Sequence, residues 1–238
     1  MLRFMLALLL ASSASLIFAE PNAADDPWIV LDKAAHAARE LNYKGVFTYQ
    51  SGMNARSVEI THMNSGQDEY SRIVMLDGSP REVLSQGTDV VIFSPKNEKV
   101  IIEKRRGQNM FPALFPTNMD AIKVSYQARL GGLERVAGRE GQIIYLDPHD
   151  HYRYSYKFWA DREYGLLLKS MTSNEHNQMM EQITFNQLSL LGTQNMDWFQ
   201  PSVDSKGLCN GRRRDACRFF KRGRKLDAGT ITGWFPKD

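Results

Sequence analysis

The sequence predicts an α+β fold, mainly antiparallel β, in which a curved half-barrel sheet wraps round one long amphipathic helix. Two observations carry this. One early segment has helical periodicity, and almost everything after it alternates with period 2 in short runs separated by turn residues. About a dozen twisted strands cannot stay flat, so the sheet must curl, and the helix must cover an apolar face. Such a half-closed sheet leaves an apolar cleft, a usual place for a ligand.

The helix is read from "DDPWIVLDKAAHAARELNYKG". Asp25 or Asp26 can cap it, and Pro27 suits its first turn. Trp28, Leu31, Ala35, Ala38 and Leu41 form an apolar stripe, with Lys33 and Arg39 largely on the other face. Asn42 and Gly45 are expected to end it.

Strands follow at "VFTYQSG", "RSVEITHM", "EYSRIVML", "REVLSQG", "DVVIFSP" and "KVIIEKR". Turn signals separate them: Ser51-Gly52, Asn64-Ser65-Gly66, Asp77-Gly78-Ser79-Pro80, Gly87-Thr88-Asp89 and Pro95-Lys96-Asn97. "GQNMFPALFPTNMDAI" interrupts the pattern as a loop or short helical turn, with Met110, Phe111, Leu114 and Phe115 reading as exposed. Strands resume at "VSYQARLG", "LERVAG", "GQIIYLDP", "YRYSYKFWAD", "LLLKSMTSN" and "MMEQITFNQLSLLG". Asp161–Gly165 makes a hairpin turn.

Residues 1–19 read as a cleaved export signal: Arg3, an apolar run from Phe4 to Leu10, then small residues ending at Ala19. That run is too short to span a bilayer. The implied compartment is the periplasm. The body from Glu20 to Ser205 has no cysteine, so it offers no thiolate nucleophile, thiolate metal site or redox pair.

Charge divides the chain. Lys206–Asp238 holds 10 basic and 3 acidic residues, against 20 basic and 24 acidic elsewhere. The basic character therefore belongs to the tail.

Sites of chemistry are sparse. His149-Asp150-His151 offers two imidazoles and a carboxylate, but Asp147-Pro148 before it marks a hairpin turn, and two ligands on a turn need others from elsewhere. No metal site is expected. No nucleophile elbow, phosphate loop or dinucleotide fingerprint occurs, so nucleotide binding has no support. No catalytic residue, cofactor or nucleic-acid partner is expected.

Four stretches carry a resemblance: "LNYKGVFTYQSG", "FPALFP", "LGGLERVAGREGQIIYLDPHDHYRYSYKFWADREYGLLLKS" and "NQLSLLG". From Trp28 to Val203 the chain resembles the MucB/RseB family, periplasmic negative regulators of an envelope-stress sigma factor. The resemblance implies a lipoprotein-carrier-like (LolA-like) domain over residues 20–192 and a linker over 193–205. It implies a non-enzymatic protein that binds the periplasmic part of a transmembrane MucA/RseA-type anti-sigma factor and protects it from regulated proteolysis. It also implies release by lipid, with lipid A, lipopolysaccharide or acyl chains as ligands. The alternative is a lipid or lipoprotein carrier without a regulatory partner.

Given that family, "FPALFP" fits either core packing or a lip over a lipid cleft. Met110, Phe111, Leu114 and Phe115 are the cleft candidates. Lys104, Arg105 and Arg106 fit either a solvated strand end or contacts to lipid phosphates or an acidic partner segment.

The family implies a small second domain after "WFQPSVDS", where the resemblance stops. Residues 206–238 instead hold "CNGRRRDACRFFKRGRK", which contains both cysteines. Cys209 and Cys217 could close a loop, and the arginines could bind phosphate. The tail lacks strand alternation, however. It reads as unselected sequence replacing the second domain after a frameshift or rearrangement, and is expected to be disordered. Partner binding is then expected to be weakened.

Overall fold

The structure is a computed structural model and describes residues 26–66, 68–87, 89–94, 99–104, 110–192 and 195–199. The expected signal segment and basic tail lie outside them.

The first helix, α1, spans Pro27–Glu40. Asp26 caps it by accepting a hydrogen bond from the Trp28 backbone N–H at 2.9 Å, and Pro27 occupies the first turn. Leu31, Ala34, Ala35, Ala37 and Ala38 are buried. Small alanines let the helix lie close against strands. The helix stops at Glu40, and Gly45 belongs to the first strand, so Gly45 plays no part in ending it.

Among the described residues eleven strands follow: β1 (Tyr43–Ser51), β2 (Asn54–Asn64), β3 (Glu69–Met75), β4 (Glu82–Gln86), β5 (Asp89–Ser94), β6 (Lys99–Lys104), β7 (Tyr126–Val136), β8 (Arg139–Pro148), β9 (Ser155–Asp161), β10 (Leu167–Ser173) and β11 (Met179–Leu190). A short helix, α2 (Asp120–Ser125), precedes β7. The strands form one sheet in the order β6-β5-β4-β3-β2-β1-β11-β10-β9-β8-β7. All ten pairings are antiparallel. Two meanders therefore meet at the β1–β11 ladder.

"VSYQARLG" and "LERVAG" are one strand, β7, and not two. The ladder to β8 is shifted between Leu130 and Leu133. A Cβ at Gly131 would lie 2.7 Å from Tyr145 and 2.8 Å from Ile143. The glycines mark a bulge inside a strand rather than a turn between two.

The helix proves the curl. α1 touches β2 on one side and β7 and β9 on the other. In a flat sheet the six steps from β2 to β7 would span roughly 29 Å, at about 4.8 Å per strand, whereas a helix is only about 10–12 Å across. The sheet must therefore wrap round α1. β7 also lies against β11, four positions away, so this end curls most.

The main core fills the concave side: α1, with Tyr43, Phe47, Ile144, Phe158, Ala160 and Phe185. A smaller cluster of Val136, Ile143, Trp159 and Leu168 lies on alternate residues of the same strands. The expected linker region contains a helical turn, Met196–Phe199, whose Trp198 and Phe199 pack on Met63 and Tyr70.

Candidate functional site

Sheet register builds the site. Across β8, β9, β10, β11 and β1, the residues Leu146, Tyr156, Thr172, Glu181 and Ser51 stand opposite one another in a single row. Two residues along, Phe158, Ser170 and Ile183 form the next row on the same face. Because side chains alternate across a strand, both rows point to the same side. Leu114, Phe115, Ile122 and Tyr126 complete the opposite wall. Together with Tyr154 and Met180 they enclose a cleft of about 640 Å³, within the roughly 300–1,000 Å³ typical of small-molecule sites.

The cleft grades from apolar to polar. Phe115, Leu146, Phe158 and Ser170 are buried. Phe115 meets Phe158 edge-on at 4.8 Å, and Tyr156 stacks on Phe158 at 5.8 Å. Tyr126 lies tilted against Tyr156 at 5.9 Å. At the other end, Tyr154, Met180 and Glu181 are exposed. Glu181 Oε1 accepts a hydrogen bond from Tyr49 Oη at 2.8 Å. Burial, and then the Glu181 hydrogen bond, push the Tyr49 phenol up. Burial is also the main cause raising Tyr156, with the Glu181 charge adding to it. The site thus presents phenols beside a carboxylate.

"FPALFP" is packed against the body, not exposed. Phe111 is buried between Phe47 and Phe185, at 5.3 and 5.0 Å. Arg39 holds the segment to α1 by donating to the Phe115 carbonyl at 2.6 Å and to the Ala35 carbonyl at 2.6 Å. Arg39 therefore turns inward from the face assigned to it. Of the four cleft candidates, Leu114 and Phe115 line the cleft. Met110 and Phe111 pack in the core beside it. Lys104 ends β6, on the opposite half of the sheet. Arg105 and Arg106 lie outside the described residues.

His149, Asp150 and His151 occupy the β8–β9 loop. Asp150 accepts from the Tyr152 backbone N–H and pairs with Arg153. Among the described residues no group of three or more His, Cys, Asp or Glu is placed to hold a metal ion. No helix among them is long and apolar enough to cross a membrane.

Sequence reasoning missed most of the cleft: Tyr126, Leu146, Tyr156, Phe158, Ser170, Thr172, Glu181 and Ile183. The alternation of Tyr154, Tyr156 and Phe158 in "YRYSYKFWAD" was a usable signal. Which strand lay beside which was not.

A curved open antiparallel sheet, a helix in its concavity and an apolar cleft between them define the fold class. The family model described as the MucB/RseB N-terminal domain matches residues 26–203, and the chain belongs to that family. The Sigma-E factor regulatory protein RseB of Haemophilus influenzae is 31% identical over 152 residues, covering 64% of this chain and 48% of that protein. The Sigma factor AlgU regulatory protein MucB of Pseudomonas aeruginosa is 29% identical over 185 residues, covering 76% and 56%. The chain thus spans about half the length of these curated relatives. The crystal structure of MucB superposes with a TM-score of 0.64 at 27% identity, covering 75% of this chain and 63% of that one. MucB in complex with MucA(peri) gives 0.62 at 27% identity, covering 75% and 60%.

Proposed function

We propose that this chain is a periplasmic regulator of an envelope-stress sigma factor. It binds the periplasmic part of a transmembrane anti-sigma factor and shields it from regulated proteolysis. It is a binding protein and not an enzyme. Family membership over residues 26–203 carries this reading, supported by relatives named as sigma-factor regulators and by a solved relative bound to MucA(peri).

The cleft adds the sensory half. An acyl chain laid along Phe115, Leu146, Phe158 and Ile183 would gain about 0.8 kcal/mol for each methylene removed from water. Leu114 and Phe115 are the wall such a chain touches. Lys104, Arg105 and Arg106 are the proposed contact for lipid phosphate or an acidic partner segment.

The test is a pull-down of the full chain with an immobilised periplasmic anti-sigma segment, run beside a lipoprotein-release assay. Retention on the segment without lipoprotein release is the expected result. Release of lipoprotein without retention would instead identify a carrier, the reading that the cleft taken alone favours.

A further inference from the structure

Of the described residues fourteen line the cleft, and Glu181 is the one formally charged side chain among these. It stands in the rim row between Thr172 on β10 and Ser51 on β1, with Tyr156 beyond Thr172. Its hydrogen-bond donor is Tyr49 Oη, a neutral phenol. No Lys, Arg or His of the described residues forms an ion pair with it. Arg153, the cation that bears on Tyr126 at the same end, is paired with Asp150. The rim therefore presents hydroxyls and an uncompensated negative charge, while the floor beneath it is aromatic and aliphatic.

From this juxtaposition we infer that the cleft selects amphiphiles by the charge at the junction of chain and head group. It admits an alkyl chain whose first polar group is uncharged or cationic, such as a hydroxyl, an amide or an amine. It rejects a chain that ends in a carboxylate or phosphate at that point. Glu181 is the residue that sets this specificity.

The physical cause is a like-charge contact. A chain seated on Phe158 and Ile183 places its first polar group at the row two residues away, beside Thr172 and Glu181. A hydroxyl or amine there finds an acceptor. A carboxylate meets another carboxylate with no cation of the described residues paired to it, and at low salt their repulsion is little screened. Any anionic head group must sit further out, beyond the rim.

This inference rests on the cleft reading given above, and its test separates the two. Decanol, decylamine and decanoate have one chain length and three head-group charges. Each is titrated into the full chain at pH 8 and low salt by calorimetry. Decanol and decylamine should bind at least about tenfold tighter than decanoate, the size of effect expected for one partly screened like-charge pair. Glu181→Gln keeps an acceptor oxygen at the rim but removes its charge, and should close the gap between decanoate and decanol. Glu181→Lys should make decanoate the tightest of the three. Thermal melts of both variants, matched to the parent, show that the fold is intact. Equal binding of all three probes by the parent chain, or a decanoate penalty that survives Glu181→Gln, would overturn the inference while leaving the cleft reading standing. Binding of none of the three would overturn both.

Discussion

Asp161 shows how much one side chain can organise. It is buried at the end of β9 and paired with Arg139. Its Oδ1 accepts from the backbone N–H groups of Glu163 and Tyr164 at 3.0 and 2.8 Å, and its carbonyl accepts from Gly165 at 2.8 Å. The whole β9–β10 turn hangs on these bonds, and Lys33 of α1 is fastened to the same turn through the Glu163 carbonyl at 2.8 Å. Asp161→Ala removes the acceptor of the turn and leaves Arg139 only its outer ion pair with the exposed Glu163, and should cost roughly 1–3 kcal/mol in urea unfolding. Asp161→Asn keeps the turn acceptor and should cost less. Asp77 gives a pH signature. The Ser57 backbone N–H, donating to Asp77 Oδ2 at 2.6 Å, holds its carboxyl below the usual aspartate range. A depressed folded value means that the stabilisation is present above the unfolded value and lost as pH falls through the folded one. Asp77→Asn should therefore flatten the acid limb of the stability–pH curve below about pH 4 and leave the neutral limb's slope unchanged.

Elements differ in how well local sequence specifies them. The helix was legible because Asp26, Pro27 and the alanine spacing all act within one segment. Most strands were legible because alternation and glycine turns are also local. The bulge in β7 was not. Gly131-Gly132 looks like a turn until Tyr145 and Ile143 of the neighbouring strand are known to fill the space above Gly131. The role of Gly45 was hidden for the same reason. It lies on the ladder that joins the two meanders, and an added Cβ would sit 2.6 Å from the Gln187 carbonyl oxygen and 2.7 Å from the Phe185 ring. One of those neighbours is backbone and cannot swing away. Gly45→Ala should cost roughly 1–3 kcal/mol through overpacking, read by chemical denaturation. A neutral result would mean that the ladder yields more freely than its register suggests.

At the scale of the whole molecule, function depends on curvature. The β1–β11 ladder brings the first strand beside the last, so that Ser51 and Glu181, far apart in the chain, share one rim. Sequence pattern could predict an apolar cleft, because so many strands must curl over one helix. It could not predict which residues line it, because that follows from pairing between distant segments. "FPALFP" illustrates the division. Its apolar character was plain, yet only packing separates Phe111, held in the core by Phe47 and Phe185, from Phe115, which faces Phe158 across the cleft. On the proposed function, cleft occupancy and partner binding are linked, so that an amphiphile in the cleft weakens the hold on the anti-sigma segment. Linkage of this kind typically changes affinity about 5–150-fold and is reciprocal. The direct measurement is the affinity of the full chain for the periplasmic anti-sigma segment, with and without saturating decanol. A weakening within that range is the predicted result. An affinity that decanol leaves unchanged, or no binding of the segment in either condition, would contradict it.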